Sequence, residues 1–260
     1  MAQKDKQPDE KPRETTVEFL ASLAGVLVTG LFIITFIVQA FEIPSSSMEN
    51  TLLIGDHVFV NRVGFSPKTR WIGPIVPYRR IDRDNIVVFL SPAEPDLYVV
   101  KRIIGIPGDR IHLRDGVVYR NGKQLDESGY VIHTGKDDPN NAYNPYRDNF
   151  PSVPPSEYSN VTDEWKLTMP QHIENGDLVV PPNSYFAMGD NRDVSYDSRY
   201  WGFIPLENVI GRPMFIYWSF EEPPYEGQPR PIGERLAFIA HEVLHFFDQT
   251  RWKREFKLVR

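Results

Sequence analysis

The hydrophobic pattern of the chain is dominated by one uninterrupted apolar stretch near the N-terminus. No charged residue occurs from Phe19 to Phe41, and a polar, charged segment at 1–16 precedes this stretch. A helix rises about 1.5 Å per residue and the hydrocarbon core of a bilayer is about 30 Å thick, so the stretch is long enough to span a membrane once. It exceeds the roughly 7–15 apolar residues of a cleaved secretory signal, and residues 40–44 make a poor cleavage site. We therefore predict an uncleaved transmembrane anchor over 17–41.

Beyond the anchor, the pattern changes to short runs rich in β-branched and aromatic residues, which are typical of strands. Residues 126–163 are rich in Pro, Asn, Asp, Tyr and Ser, so we expect a loop-rich inserted subdomain over about 126–176. Only the segment from Glu234 onward has a helical pattern. The predicted fold class is mainly β, with one N-terminal transmembrane helix, an inserted subdomain and a C-terminal helix. The strand-like runs are 56–61, 85–90, 97–100, 116–123, 177–180, 185–188 and 213–218.

Positive charges near the anchor determine its expected orientation. All Lys and Arg residues before the anchor lie within 1–16, whereas 42–61 contains neither residue type. Because Lys and Arg close to a span are retained in the cytoplasm, we predict a cytoplasmic tail at 1–16 and an extracytoplasmic domain over 42–260. In a bacterium, the anchor would then lie in the inner (plasma) membrane and the domain in the periplasm or outside the cell.

Composition restricts the function further. The net charge of −6 gives no general case for nucleic-acid binding, so no nucleic-acid partner is expected. The chain contains no cysteine, which is compatible with an extracytoplasmic location and excludes a disulfide framework. Its 41% hydrophobic residues are sufficient for a packed core.

Three consecutive serines, 45–47, follow the anchor directly. An extended chain covers about 3.3–3.6 Å per residue, so these serines lie within about 20 Å of the membrane surface. A nucleophilic serine needs a base, and no His and Asp partner stands out among the six histidines. Lys101 is the better candidate, because the neighbouring Arg102 faces the other side of the strand and does not deprotonate.

For Lys101 to act as a base near neutral pH, its pKa must fall by roughly 3 units. Burial among apolar neighbours lowers a lysine pKa by that amount, and Val99 and Ile103 lie on the same strand face as Lys101. The strand alone favours an ordinary lysine whose amine reaches solvent.

Segment 189–202 is unusual for a surface loop. It contains three Asp, two Arg and two Ser residues between Gly189 and Gly202. Its acidic residues lack the alternate spacing and the final Glu of a calcium-binding EF-hand loop. The segment therefore fits neither an ordinary surface loop nor a calcium-binding loop.

Four ordered blocks behind the single span resemble the type I (leader) signal peptidases, which use a Ser/Lys dyad. The resemblance implies a membrane-anchored serine endopeptidase that removes N-terminal signal peptides from exported pre-proteins, with no metal or organic cofactor. It also implies substrates with small residues one and three positions before the cut, of the Ala-x-Ala type. The blocks are 43–48 with Thr51 and Leu52, then Gly55-Asp56, then 101–109, and finally 189–202.

The same resemblance implies a role for each matching position. Ser47 is expected to be the nucleophile and Lys101 the general base. The N–H of Ser47 and the hydroxyl of Ser45 are expected to form the oxyanion hole, and Ser195 to orient the Lys101 amine by a hydrogen bond. Structural ion pairs are expected for Arg102 with Asp190 and for Asp197 with Arg199. The expected substrate-binding residues are Phe41, Ile43, Leu52, Val88 and Val100.

One competing motif is the zinc-peptidase pattern HExxH at His241, Glu242 and His245. On a helix it places two imidazoles on one face with a glutamate between them. Glu255 is the sole later Glu and a poor third ligand, so no metal site is expected. A helix with an ordinary apolar stripe explains the segment better. The stripe consists of Leu236, Ile239, Ala240, Val243 and Phe247.

Two further possibilities concern partners. The C-terminal segment 250–260 combines five cations with aromatic residues, which suits contact with anionic membrane lipid, although a solvated terminus is compatible with the same pattern. A non-catalytic, membrane-tethered β-rich interaction module is the remaining alternative to an enzyme.

Overall fold

The first helix leads directly into the β-structure. It starts at a capping box in which Thr15 and Glu18 satisfy each other's backbone N–H groups. Helix α1, Thr16–Phe32, continues through a π-helical turn, Ile33–Ile37, and this helical segment is long and apolar enough to cross a membrane. The computed structural model describes residues 15–65, 79–137, 143–157, 159–222 and 232–260, so most of the predicted tail lies outside the described residues.

The helical part of the predicted anchor is shorter than expected. Residues 38–41, which we assigned to the anchor, belong to strand β1, Val38–Glu42. This strand pairs with β2, Asp56–Asn61, along its whole length. An apolar run of this kind fits a helix or a strand equally well, and the pairing with β2 determines which one forms.

The rest of the chain is mainly β, which confirms the predicted fold class. The strands after β2 are β3 Ile86–Leu90, β4 Tyr98–Gly105, β5 Arg110–Arg114, β6 Val117–Arg120, β7 Lys123–Gln124, β8 Ile173–Glu174, β9 Asp177–Val179, β10 Ser184–Met188, β11 Ile204–Pro205 and β12 Val209–Ser219. A seven-stranded sheet has the order β1-β2-β12-β3-β4-β10-β11, and a five-stranded sheet has the order β7-β6-β5-β9-β8. All pairings within these two sheets are antiparallel.

The predicted insertion contributes to the common core. It contains two short helices, α2 Pro145–Asp148 and α3 Asp163–Thr168, and the short strand β8. Phe150 and Trp165 are buried in the same cluster as Phe186 of β10. The insertion is therefore packed on the sheet that leads into the 189–202 loop.

The C-terminal segment returns to the large sheet. After the short helix α4, Ser198–Trp201, and strand β12, helix α5 covers Ile232–Leu244. We predicted helical structure from Glu234 onward, but helix α5 ends at Leu244. The last residues of the chain hydrogen-bond to β12 instead. The N–H of Phe256 donates to the Ile216 carbonyl, and the N–H of Val259 donates to the Met214 carbonyl.

Candidate active site

Ser47 and Lys101 meet in the interior of the protein. Ser47 lies in a single 3₁₀ turn, Ser46–Met48, which is fixed because Met48 and Leu52 are completely buried. Lys101 lies on β4, opposite Val87 of β3. Only 7% of Ser47 and 3% of Lys101 are exposed, and the Lys101 Nζ donates a hydrogen bond of 2.5 Å to the Ser47 Oγ.

Burial lowers the pKa of the Lys101 amine from its ordinary value of 10.5 to about 8. The nearby carboxylates of Asp197 and Asp190 oppose this shift, and the Arg199 guanidinium adds to it. Desolvation disfavours the ammonium form, so a substantial fraction of the amine is neutral in mildly alkaline solution. A neutral amine at hydrogen-bond distance from a hydroxyl can accept its proton.

The other two predicted serines lie beside this pair. The Ser45 hydroxyl is 3.4 Å from the Ser47 Oγ, and Ser45 is exposed. Ser195 is buried, but within the described residues its Oγ has no hydrogen-bond partner. The expected hydrogen bond between Ser195 and the Lys101 amine is therefore not present in the described part of the chain.

Ser195 still borders the nucleophile segment through Gly189. A Cβ atom on Gly189 would lie 2.3 Å from the Ser195 Oγ and 2.4 Å from the Ser47 carbonyl oxygen. No side chain fits in that space, so a glycine is required for the two segments to approach this closely.

Both predicted ion pairs are present, buried and bidentate. Arg102 binds Asp190 through two hydrogen bonds of 2.8 Å, and Arg199 binds Asp197 through hydrogen bonds of 2.9 and 2.8 Å. Asp190 also accepts a 2.5 Å hydrogen bond from the hydroxyl of Thr51, a residue for which we had predicted no role. Burial acts to raise the pKa of Asp197, but the Arg199 guanidinium, the Gly189 N–H and the Lys101 amine together hold it below its ordinary value.

The five predicted substrate-binding residues are close together. Three of them are buried members of one hydrophobic cluster, and the other two are partly buried and pack against it. Val100 is the chain neighbour of Lys101 on β4, and Met48, which follows Ser47, belongs to the same cluster. The buried members are Ile43, Leu52 and Val88, and the partly buried ones are Phe41 and Val100.

The two imidazoles of the HExxH motif are hydrogen-bonded to side chains that follow them in the chain. His241 Nε2 is hydrogen-bonded to Gln249, and His245 Nδ1 to Asp248. In the described part of the chain, the metal-ligating side chains that converge within 4.8 Å are His57, Glu222 and Glu242, and this group includes neither imidazole of the motif.

Comparison with known proteins identifies the family. A sequence model of the family described as "Signal peptidase, peptidase S26" matches residues 16–218. A signal peptidase I of Aquifex aeolicus is 33% identical over 255 residues, which cover 84% of this chain and 92% of that protein. A probable signal peptidase I-2 of Synechocystis is 31% identical over 213 residues, which cover 82% and 78% of the two chains. A crystal structure of a signal peptidase I from Enterococcus faecalis shares 30% identity over 52% of this chain and 97% of that chain, with a TM-score of 0.32.

The family model and the two sequence relatives define the protein as a peptidase, within the hydrolases. The chain belongs to the signal peptidase family, peptidase S26, which confirms the family prediction made from the four sequence blocks.

Proposed function

We propose that this protein is a membrane-bound serine endopeptidase that cleaves N-terminal signal peptides from exported pre-proteins, with Ser47 and Lys101 as its catalytic dyad. The relatives named signal peptidase I support the reaction and its substrate class. The observation that carries the dyad is the 2.5 Å hydrogen bond between the two buried side chains. No cofactor is needed for this chemistry.

The reaction follows from the positions of these groups. The Ser47 Oγ attacks the scissile carbonyl carbon, while the neutral Lys101 amine takes the hydroxyl proton. The negative charge of the tetrahedral intermediate lies on the former carbonyl oxygen, where the N–H of Ser47 and the hydroxyl of Ser45 donate to it. Lys101 then returns the proton to the leaving amine, and the acyl-enzyme is hydrolysed by a water that Lys101 deprotonates.

Small substrate side chains fit the surroundings of the dyad. Ile43, Leu52 and Val88 are almost entirely occupied in core packing, so the surface they offer to a substrate is shallow. A shallow surface of this kind accepts a methyl group, whereas a larger group must displace packed side chains. We therefore propose that residues such as Ala are selected one and three positions before the cut.

We expect the full-length protein, reconstituted in lipid vesicles, to cleave a model pre-protein directly after its Ala-x-Ala sequence. Replacing the Ala immediately before the cut by Phe should reduce the rate roughly 100-fold or more. N-terminal sequencing of the product measures the site, and EDTA should leave the rate unchanged. Loss of cleavage with EDTA and recovery with Zn²⁺ would instead support a metallopeptidase. A folded protein that cuts no such pre-protein would support the non-catalytic module.

We also propose the topology: an anchor in the bacterial inner membrane, a cytoplasmic N-terminus and an extracytoplasmic peptidase domain. The distribution of Lys and Arg around the anchor supports this orientation. The helical segment ends at Ile37, and Ser47 follows after the single strand β1, so the dyad stays close to the membrane. This is where the end of a signal peptide leaves the bilayer.

We further propose that the C-terminal segment 250–260 contacts the lipid surface. Trp252, Phe256 and Leu258 are exposed, as are the cationic Lys253 and Lys257 next to them. Exposed aromatic residues alternating with cations suit an anionic membrane surface.

We expect Trp252→Phe to remove part of the tryptophan fluorescence that brominated lipids quench in reconstituted vesicles. The matched control is Trp165→Phe, because Trp165 is buried in the core and should contribute nothing to the quenching. Equal quenching in wild type and in Trp252→Phe would contradict the lipid contact.

A further inference from the structure

Asn191 contacts both peptide groups that flank Ser47. Its backbone N–H donates a 3.0 Å hydrogen bond to the Ser47 carbonyl oxygen, and its side-chain Nδ2 lies 3.3 Å from the Ser46 carbonyl oxygen. The same Nδ2 is 3.4 Å from a carboxylate oxygen of Glu49. Asn191 is completely buried, so these contacts are not shared with bulk water.

The contact with Ser46 determines the direction of the Ser47 N–H. The Ser46 carbonyl and the Ser47 N–H belong to one planar trans peptide, so the two groups point in opposite directions. The Ser46 carbonyl also accepts a 3.0 Å hydrogen bond from the Glu49 N–H, which completes its 3₁₀ turn. Fixing this carbonyl with two donors therefore fixes the N–H at the other end of the peptide, which is the proposed oxyanion donor.

The inserted subdomain holds Asn191 from the opposite side. The Thr134 hydroxyl lies 2.8 Å from Nδ2 and 3.1 Å from Oδ1 of Asn191. Ile132 forms a parallel bridge with Asn191, through hydrogen bonds to the backbone groups of Asp190 and Arg192. The backbone N–H of Thr134 also donates a 3.3 Å hydrogen bond to Oδ1, so Oδ1 faces Thr134 and Nδ2 is directed at the nucleophile segment.

We propose that Asn191 is a positioning residue for the oxyanion hole, and that Thr134 of the inserted subdomain fixes its carboxamide. The inference rests on the proposed function, since it concerns how the Ser47 N–H meets the tetrahedral intermediate. Removing an oxyanion donor outright typically reduces kcat about 10²–10³-fold. When the donor is present but no longer held in place, we expect a smaller reduction in kcat than this.

We expect Asn191→Ala to reduce kcat roughly 10- to 100-fold on a model pre-protein, with KM within about twofold of wild type. A peptide aldehyde forms a tetrahedral adduct with the serine, so its inhibition constant should rise by the same factor as kcat falls. The affinity for a cleaved signal peptide, which makes no oxyanion, should not change. The midpoint of the pH profile should stay at its wild-type position, because the surroundings of Lys101 are intact.

Thr134→Val keeps the shape of the side chain but removes the hydroxyl, and it should produce the same pattern with a smaller amplitude. The matched control is Ser128→Ala, an exposed serine of the same inserted subdomain whose hydroxyl binds Asp126. It should retain wild-type kinetics. If Asn191→Ala does not fold, as judged by circular dichroism, the kcat and the aldehyde inhibition constant of Thr134→Val test the proposal instead.

Unchanged kcat in both variants would overturn the proposal. A fall in kcat with unchanged aldehyde affinity, or with a displaced pH midpoint, would also overturn it, since it would indicate a general loss of structure. All rates are relative to wild type, so failure of the proposed function would appear separately, as absence of cleavage by the wild-type protein.

Discussion

Lys101→Met is expected to abolish pre-protein cleavage and at the same time to make the protein more stable. The loss of activity follows because methionine cannot take the proton of the Ser47 hydroxyl, and we expect a rate at least roughly 10³-fold lower than wild type. Cleavage of a model pre-protein measures it. Full activity of the variant would exclude Lys101 as the base.

The gain in stability follows from the burial of the Lys101 amine. Burial lowers its pKa from 10.5 to about 8, and each unit corresponds to about 1.36 kcal/mol. Near neutral pH, the charged amine therefore reduces the free energy of unfolding by roughly 3 kcal/mol, a cost that an apolar side chain of similar length avoids. We expect urea denaturation at pH 7 to give a free energy of unfolding about 2–3 kcal/mol higher for Lys101→Met.

The pH dependence gives a second measurement on the same residue. The pKa of Lys101 is lower in the folded state, so the unfolded chain binds more protons between about pH 8 and 10.5, and wild-type stability should rise with pH in that window. Lys101→Met should lack this rise. Wild-type kcat/KM should also increase with pH, with a midpoint near 8, because only the neutral amine accepts a proton.

The matched control is Lys123→Met, which replaces an exposed lysine on another strand, β7. Its activity should equal that of wild type, and its stability should differ by less than about 0.5 kcal/mol. Simultaneous loss of activity and stability in Lys101→Met would instead indicate that the amine has a structural role.

The sequence was sufficient to predict which side of a strand each of two neighbouring side chains faces. Lys101 and Arg102 are adjacent strand residues, so they had to face opposite sides, and they do: one meets Ser47 and the other Asp190. The pair Asp197 and Arg199 was expected from the family resemblance rather than from spacing, and the structure contains it.

Contacts made by the backbone could not be predicted in this way. Asn191 acts through its N–H and through an amide that meets a carbonyl oxygen, and an asparagine in a polar loop gives no signal of either contact. The Ser195 prediction has the same limitation, because the direction of a hydroxyl depends on packing around Gly189. The strand at 38–42 and the return of the C-terminus to β12 depend on partners distant in sequence.

Arg199→Met is expected to destabilise the protein by about 3–5 kcal/mol, since it leaves the Asp197 carboxylate buried without its cation. Both members of this pair are almost completely buried, at 1% and 0% exposed side chain. Asp197 also accepts the N–H of Gly189, and Arg199 donates to the Arg192 carbonyl. The variant should therefore loosen the loop next to Lys101 as well as lower the free energy of unfolding, which urea denaturation measures.

The same variant should move the pH profile of the activity that remains to higher pH. The Arg199 guanidinium lowers the pKa of Lys101 and the Asp197 carboxylate raises it, so removing the guanidinium alone favours the ammonium form. The matched control is Lys166→Met, which breaks the surface pair with Asp163 and should cost less than about 1 kcal/mol without moving the profile.

The double variant Asp197→Leu with Arg199→Met separates the cost of an unpaired charge from the value of the pair itself. Apolar residues of similar volume often replace a buried ion pair with little loss of stability, so the double variant should be more stable than Arg199→Met alone. Its pH midpoint should return toward that of wild type, because the carboxylate that raises the pKa of Lys101 has also gone. If the double variant is as unstable as Arg199→Met, the hydrogen bonds to Gly189 and Arg192, rather than the unpaired carboxylate, hold this loop in place.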